Sequence, residues 1–271
     1  LERLVPLFDR LDASEAFVRP ARTLATLATS KVRERRAMHG IERVVAEIWS
    51  DRQRRGVVPD DFLTQLHASF DDLDPEARDV EVARDLILIH MGSQSNLYAA
   101  LAWTLVNLLL HPDAMAAVRA GDEGVLVRCA YESIRLAQRS ITLRQVLRPV
   151  ELEDGTTTYR VDPGTMIATM LSVTNSEAPG LGHFDTAHYE GRRLAPAVAL
   201  PAKEMVSTFG HGIHTCPAQR FSISAIGIAV RALVDRYELE ALFTDARPRA
   251  RQIGGVARAA APCVVRYRPR T

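Results

Sequence analysis

The sequence predicts a mainly α-helical fold with small antiparallel β-sheets, an α+β architecture. In most of the chain, apolar residues recur at helical spacing, whereas residues 141–170 alternate in strand fashion around glycine-containing turns. The chain has 271 residues, of which 47% are hydrophobic and only 6% aromatic. That length suits one large domain or two small ones, and its core must be mostly aliphatic.

Helical spacing of apolar residues predicts helices over six ranges, namely 1–11, 21–54, 60–69, 74–111, 122–136 and 217–236. Gly56 and Pro59 end the second helix. The fourth begins at the triplet 74–76, where an acid, a proline and a second acid form a strong helix start. Strands are predicted within 141–170 and near 238–243 and 262–268, and residues 176–208 are mostly irregular.

The centre of the longest predicted helix combines two opposite patterns. From Leu86 to Ile89 the helix is apolar on every face, which predicts burial. A polar run with a glycine follows at once, from His90 to Asn96. Buried polar groups are costly unless they find partners or line a cavity. The polar run is therefore a candidate functional segment.

Composition excludes several classes of protein. A net charge of +1 gives no reason to expect nucleic acid or an anionic membrane as a partner. Three widely spaced cysteines make no disulfide framework and fit a reducing compartment. Neither a signal peptide nor a membrane span is apparent. The expected location is the cytoplasm, and the arginine-rich composition is typical of a GC-rich bacterial genome.

The segment 209–218 (FGHGIHTCPA) is the most informative stretch. It places Cys216 in a loop of small residues just before an apolar helical run, with His214 two residues upstream. A helix N-terminus and backbone N–H groups stabilise a thiolate, and glycines let the backbone lie flat against a large group. A structural cysteine is one alternative. A zinc site formed with His211 is another, but it lacks a second ligand pair.

This segment resembles the cysteine-ligand loop of cytochrome P450 enzymes, F-x-x-G-x-[HR]-x-C-x-G. Phe209, Gly212, His214 and Cys216 match, and Ala218 replaces the last glycine. The resemblance implies haem b with Cys216 as the iron ligand, and a loop whose Phe209, Gly210, Gly212 and Ala218 contact the cofactor. It also implies that His214 and Arg144 bind the haem propionates, for which arginine is well suited.

A second motif of the family is an E-x-x-R pair with a later basic residue. Glu132 and Arg135 match the pair, although such a spacing alone is common on helix surfaces. In the later segment 184–189, His188 stands where the family has arginine. The resemblance implies a structural triad of Glu132, Arg135 and His188 that secures the loop around the haem.

The longest helix corresponds to the oxygen-binding helix of the family, [AG]-G-x-[DE]-T. Gly92 and Ser93 begin the aligned segment, Ser95 replaces the usual acid, and Asn96 replaces the threonine. These four residues are the candidate catalytic group. An amide relays protons poorly because it does not titrate. The departure resembles the branch that holds bile-acid sterol hydroxylases and prostacyclin synthase.

The resemblance spans 1–271 as a single haem-thiolate domain without the family's N-terminal third, with substrate-side helices in 1–74 and the haem-binding core in 75–271. It implies a monooxygenase for a hydrophobic, sterol- or lipid-like substrate, with electrons from a ferredoxin or flavoprotein reductase. Candidate substrate contacts are Leu88, Ile89 and Leu97, and candidate contacts to the redox partner are Arg139, Lys203 and Arg220. The alternatives are a peroxide isomerase or dehydratase that needs no reductase, and a non-catalytic haem-binding remnant.

Overall fold

The computed structural model describes residues 2–11, 20–29 and 31–270. The chain divides into two compact units, residues 1–95 and 96–271, and the boundary falls inside the longest helix. Each unit has its own hydrophobic core. The mainly helical architecture with small antiparallel sheets is confirmed.

The described residues form nine α-helices, which are α1 (Val5–Leu11), α2 (Pro20–Ala28), α3 (Val32–Arg55), α4 (Phe62–Ala68), α5 (Pro75–Leu110), α6 (Pro112–Arg119), α7 (Glu123–Ala137), α8 (Leu171–Glu177) and α9 (Gln219–Arg236). Short 3₁₀ turns cover Thr186–His188, Lys203–Met205 and Gly212–His214. The start of α5 at Pro75 follows the predicted acid–proline signal, because proline lacks the N–H that the first helical turn leaves unpaired.

Eight strands form four antiparallel pairs, which are β1 (Ile141–Gln145) with β4 (Met166–Met170), β2 (Val150–Glu153) with β3 (Thr158–Val161), β5 (Tyr189–Glu190) with β6 (Arg193–Leu194), and β7 (Tyr237–Ala241) with β8 (Val265–Pro269). Arg144 lies opposite Ile167 in the first pair. The glycine-containing turns predicted within 141–170 lie at residues 154–155 and 162–164, where they connect β2 to β3 and β3 to β4.

The predicted single helix over 21–54 is wrong, because the structure has two helices there. A side chain caps the C-terminal end of α2, since the Thr29 hydroxyl donates to the backbone carbonyls of Ala25 and Thr26. Lys31 then adopts a left-handed backbone, with φ 56°, directly before α3. Leu1 and Ser30, which the first two predicted helices include, lie outside the described residues.

Two helices were missing from the sequence prediction. Pro112 indicated the end of the preceding helix, but it also occupies the first turn of α6, where proline is favoured. The stretch that forms α8 contains Ser172, Thr174 and Asn175, which have modest helix propensity. Its packing against neighbouring segments decides its conformation, and sequence periodicity does not report that packing.

The core of the first unit is formed by α1, α3 and the first part of α5. Ile41 and Val45 of α3 are buried in one cluster with Val82 and Ile87 of α5. The predicted burial of the whole 86–89 stretch is wrong, because Leu88 is 69% exposed and Ile89 46% exposed. Within the described part of the chain, only one face of this helix segment packs into the core.

The core of the second unit is built around α7 and α9. Ile226, Val230 and Val234 repeat every four residues along α9 and are completely buried, in one cluster with Leu126 and Ile134 of α7. An apolar face with this spacing is the expected packing surface of a core helix. Because α9 directly follows the cysteine loop, this packing fixes the position of the loop's C-terminal end.

We searched the described residues for helices that could cross a membrane. No single helix has the required length and apolar character. The helices α5 and α6 reach it only as a pair, and that pair is bent by 106°.

The packing of α9 gives a matched test. Replacing the completely buried Ile226 by alanine should lower the free energy of unfolding by about 2–5 kcal/mol, because it removes buried methyl groups and leaves a cavity. Ile228→Ala is the control, since Ile228 lies two residues away and is 73% exposed. The control should change stability by about 0.5 kcal/mol or less in denaturant titrations. Equal losses for both variants would contradict the packing described.

Candidate functional site

The loop from Phe209 to Cys216 closes on itself. The backbone N–H of Cys216 donates to the carbonyl of Phe209 at 2.6 Å. Gly210 has φ 83°, and a Cβ at this position would overlap the carbonyl oxygen of His214. Only glycine therefore fits at this position, and the cysteine is held by a tight, closed turn.

The three cysteines differ in what their sulfur atoms do. Cys129 is completely buried, its thiol donates to the Thr104 carbonyl at 3.7 Å, and burial raises its pKa to about 12. Cys263 donates to the Ala261 carbonyl at 3.8 Å, and burial raises its pKa too. Cys216 is half-buried, and its sulfur has no hydrogen-bond partner among the described residues. Its sulfur is therefore the one best placed to bind a ligand.

The residues before Cys216 form an open surface. Gly212 has φ 59°, and a Cβ there would meet no protein atom within 4 Å. Ile213 is 96% exposed, and His214 is exposed as well. The His211 side chain is instead bound to the backbone before the loop, because its Nε2 donates to the Val206 carbonyl at 2.8 Å. The zinc alternative is not supported, since His211, His214 and Cys216 do not form a ligand cluster within the described ranges.

These features fit a flat, apolar cofactor held through sulfur. A soft thiolate is a suitable haem-iron ligand, an open glycine permits close approach, and the exposed Ile213 offers apolar contact. Ala218 is half-buried directly before α9. Arg144 lies exposed in β1, where its guanidinium donates to the carbonyl of its neighbour Leu143 at 3.0 Å. Propionate binding by Arg144 and His214 stays a prediction.

A buried ion pair lies within α7. Glu132 and Arg135 have no exposed side-chain surface and form two parallel hydrogen bonds of 2.7 and 2.5 Å. The guanidinium also donates to the backbone carbonyls of Asn175, Leu181 and His183. The carboxylate accepts from the Asp185 N–H at 3.1 Å and from His188 Nδ1 at 2.8 Å. The structure thus brings Glu132, Arg135 and His188 together, because Arg135 and His188 both form hydrogen bonds with the Glu132 carboxylate.

Two further residues connect this pair to the cysteine loop. The Asn175 amide donates to the carbonyls of Arg135 and Ser207, and its oxygen accepts from the Ser207 N–H at 2.8 Å. The Ser207 hydroxyl then accepts from the N–H of Gly210 at 3.1 Å. Sequence reasoning missed Asn175 and Ser207, because a single polar residue outside a recognised motif gives no signal of burial. Their contacts make the ion pair a support for the loop.

The start of α9 is also tied to α7. The amide of Gln219 donates to the hydroxyl of Tyr131 at 3.0 Å, and the ring of Tyr131 packs edge-on against Phe209. Burial raises the pKa of Tyr131, so it remains a neutral partner. Phe209 thus belongs to the packing that fixes the loop. A direct contact between Phe209 and the cofactor stays a prediction.

The polar segment of α5 makes a contact that its motif does not indicate. Asn96 accepts through Oδ1 from the backbone N–H of Val256 at 2.9 Å. A Cβ at Gly255, which has φ 61°, would overlap that same oxygen. The Ser93 hydroxyl donates to the His90 carbonyl one turn earlier, at 3.3 Å. Catalytic roles for Gly92, Ser93, Ser95 and Asn96 stay predictions.

No protein-family model matches the chain. It is 26% identical over 257 residues to a Mycobacterium tuberculosis protein provisionally named cytochrome P450 135B1, a match that covers 87% of this chain and 52% of the relative. A second protein of that organism, provisionally named cytochrome P450 137, is 27% identical over 190 residues, which are 67% of this chain and 38% of the relative. Human 24-hydroxycholesterol 7-alpha-hydroxylase is 23% identical over 237 residues, which are 78% of this chain and 49% of the relative. The chain spans about half the length, or less, of these curated relatives.

The structure is similar to a crystal structure of the haem domain of a mutant cytochrome P450DA. The TM-score is 0.70 at 17% identity, and the match covers 99% of this chain and 61% of the other. The fold is therefore that of a P450 haem domain, and the predicted resemblance to the cytochrome P450 family is confirmed.

The buried pair predicts a large stability effect. Glu132→Ala should destabilise the protein by about 3–5 kcal/mol, because it leaves the Arg135 charge buried without its partner. Glu81 and Arg84 form a matched control pair with the same three-residue spacing, 2.6 Å apart and about half exposed. Glu81→Ala should cost about 1 kcal/mol or less, measured by thermal and denaturant unfolding. A stable, fully folded Glu132→Ala variant would contradict the role of the pair.

Proposed function

We propose that this chain provides the haem-thiolate part of a monooxygenase that oxidises an apolar substrate with dioxygen. The observation that carries the proposal is Cys216, placed by a closed glycine turn directly before α9 in a P450 haem-domain fold. Its sulfur has no hydrogen-bond partner within the described ranges, and its loop presents open backbone and an exposed isoleucine. The hydroxylase and cytochrome names of the relatives support the same reaction class.

In this proposal Cys216 binds the iron of haem b as a thiolate. A thiolate-ligated haem supplies dioxygen activation, since electron donation from sulfur favours O–O bond cleavage. His214 and Arg144 would hold the propionates, for which an exposed imidazole and guanidinium near the protein surface are suitable donors. Gly210 keeps the turn closed, and Gly212 leaves its outer side open.

The residues of α5 would handle protons and position the neighbouring loop. The Asn96 oxygen accepts from the Val256 N–H, so this side chain orients the loop that follows Gly255. Since an amide does not titrate, the hydroxyls of Ser93 and Ser95 are the proposed proton carriers. This division of roles differs from the family's acid–alcohol pair, in which both groups carry protons.

The proposed substrate is sterol- or lipid-like. One relative is a hydroxylase of 24-hydroxycholesterol, and the aligned α5 segment resembles sterol hydroxylases. The exposed Leu88 and Ile89 and the half-buried Leu97 are candidate apolar contacts in their respective units.

A ferredoxin or flavoprotein would supply the electrons. The exposed Arg220 and Lys203 are candidates for contact with an acidic partner. Arg139 is a poor candidate, because it is half-buried and its guanidinium donates to the carbonyls of Leu136 and Gln138. A cytoplasmic location stays a prediction.

The second candidate function is rearrangement or dehydration of an organic peroxide without external electrons. The observation that favours it is Asn96 itself, because a non-titrating amide suits a reaction that needs no proton relay to oxygen. A non-catalytic haem-binding protein is the third possibility. NADPH-dependent turnover with a surrogate reductase separates the first function from the others, and peroxide consumption without reductant separates the second from the third.

The haem-thiolate proposal is tested at the cysteines. Cys216→Ser should abolish the thiolate-type Soret band in the reduced carbon monoxide difference spectrum, because the sulfur ligand is gone. Cys129→Ser and Cys263→Ser should keep it, since both thiols are engaged with backbone carbonyls. Retention of the band in Cys216→Ser would overturn the proposal.

The role of Asn96 is tested with two substitutions. Asn96→Thr should cost about 1–3 kcal/mol of stability, because the shorter side chain leaves the Val256 N–H unpaired. Asn96→Asp keeps an acceptor oxygen at that place and should be less destabilised.

A monooxygenase should retain or improve the coupling of NADPH use to product in Asn96→Thr. A peroxide isomerase should instead lose about 10²–10³-fold in rate, as at other sites that lose one oxygen-stabilising donor.

These measurements decide between the functions only if both activities are followed in every variant. Unchanged activities together with the expected loss of stability would show that Asn96 only positions the loop at Val256. Unchanged stability in Asn96→Thr would contradict the hydrogen bond itself.

A further inference from the structure

A second cluster of potential ligand side chains contains no residue of the cysteine loop. His183, Asp185 and His188 each offer a ligand atom, and these atoms lie within 4.8 Å of one another. All three belong to the short segment between α8 and β5. We propose that this cluster binds a divalent transition-metal ion of the Zn²⁺ class. The inference does not depend on haem binding or on the proposed function.

His188 has the orientation expected of a metal ligand. Its Nδ1 lies 2.8 Å from the buried Glu132 carboxylate, and a neutral imidazole that donates there presents a lone pair at Nε2. A carboxylate behind a ligating histidine fixes the tautomer and the ring orientation. Glu132 therefore positions His188, and it is not itself a ligand.

The other two ligands are also held in place. Asp185 donates its N–H to Glu132, and its Oδ1 accepts from the Ala187 N–H at 2.8 Å, which leaves the second carboxylate oxygen, Oδ2, outside that hydrogen bond. The His183 carbonyl accepts from Arg135 at 3.1 Å, and its exposed ring lies edge-on to His188 with centroids 5.2 Å apart. The backbone of the cluster is thus fixed by the Glu132–Arg135 pair before a metal binds.

The donor set selects the metal. Two imidazoles and one carboxylate suit Zn²⁺ and its neighbours Co²⁺, Ni²⁺ and Cu²⁺, whereas Mg²⁺ and Ca²⁺ prefer oxygen ligands alone. Metal–ligand bonds of about 2.0–2.2 Å in a tetrahedron place ligand atoms roughly 3.3 Å apart. Small side-chain rotations would close the cluster to that spacing. The Arg135 charge nearby is paired with Glu132, and Asp185 offsets part of the charge of the ion.

The test uses Zn²⁺ alone with the full chain carrying Cys216→Ser, which removes the competing thiolate of the cysteine loop. After treatment with chelator and dialysis, calorimetric titration should show one Zn²⁺ per chain with a dissociation constant of about 1 µM or below. His183→Ala and Asp185→Asn should each weaken binding at least tenfold, since loss of an outer-shell partner alone typically costs about 10–100-fold. Asp185→Asn keeps an oxygen for the Ala187 N–H and should therefore fold normally.

His39→Ala is the matched control, because His39 is an exposed histidine that also lies beside a carboxylate, Glu42 at 2.8 Å. It should bind Zn²⁺ as the parent does. Zn²⁺ should raise the thermal unfolding midpoint of the parent and the control but not of His183→Ala or Asp185→Asn. Parent-like affinity in both cluster variants, or a parent dissociation constant well above about 1 µM, would overturn the proposal.

Discussion

The buried ion pair between Glu132 and Arg135 is the interaction on which the rest of the second unit depends. Removing two charges from water costs several kcal/mol per ion unless the remaining donors and acceptors are satisfied. Here the guanidinium reaches three backbone carbonyls and the carboxylate reaches one N–H and one imidazole. Because these partners come from α8 and the segment after it, one pair fixes both to α7. Apolar side chains of similar volume could fill the space, but they could not fix three carbonyls that would otherwise be buried and unpaired.

The same pair determines how firmly the cysteine loop is held. Asn175 accepts from and donates to Ser207, and Ser207 accepts from Gly210. Each step is a hydrogen bond of 2.8–3.1 Å among buried or half-buried groups, where little water competes. The turn that contains Cys216 is therefore connected to α7 by these hydrogen bonds, and it leads directly into α9, whose packing fixes its other end. A ligand sulfur on such a turn needs little reorganisation when it binds its partner.

Local patterns could be predicted from the sequence, and contacts between distant segments could not. The loop at Cys216 and the helix that follows it are encoded in consecutive residues, so their patterns were sufficient. The pair at Glu132 was identified only through the family resemblance, since Glu81 has the same spacing to an arginine and is only partly buried. The contact of Asn96 with Val256 joins residues 160 positions apart, and no periodicity reports it. The break before Lys31 was missed although Thr29, which caps α2, was visible in the sequence.

The asparagine in α5 and the glycine at position 255 constrain each other. Any side chain at Gly255 would overlap the Asn96 oxygen, and that oxygen satisfies the Val256 N–H. The next residue continues the connection, because the Ala257 carbonyl accepts from the indole of Trp103 at 2.6 Å. One face of α5 thus holds this loop through two hydrogen bonds, one to an amide oxygen and one from an indole N–H. A threonine hydroxyl on the shorter side chain would not reach the Val256 N–H. The proposed replacement of the family's alcohol by Asn96 is therefore coupled to the conformation of the loop, and Asn96→Thr would change both the side chain and the loop.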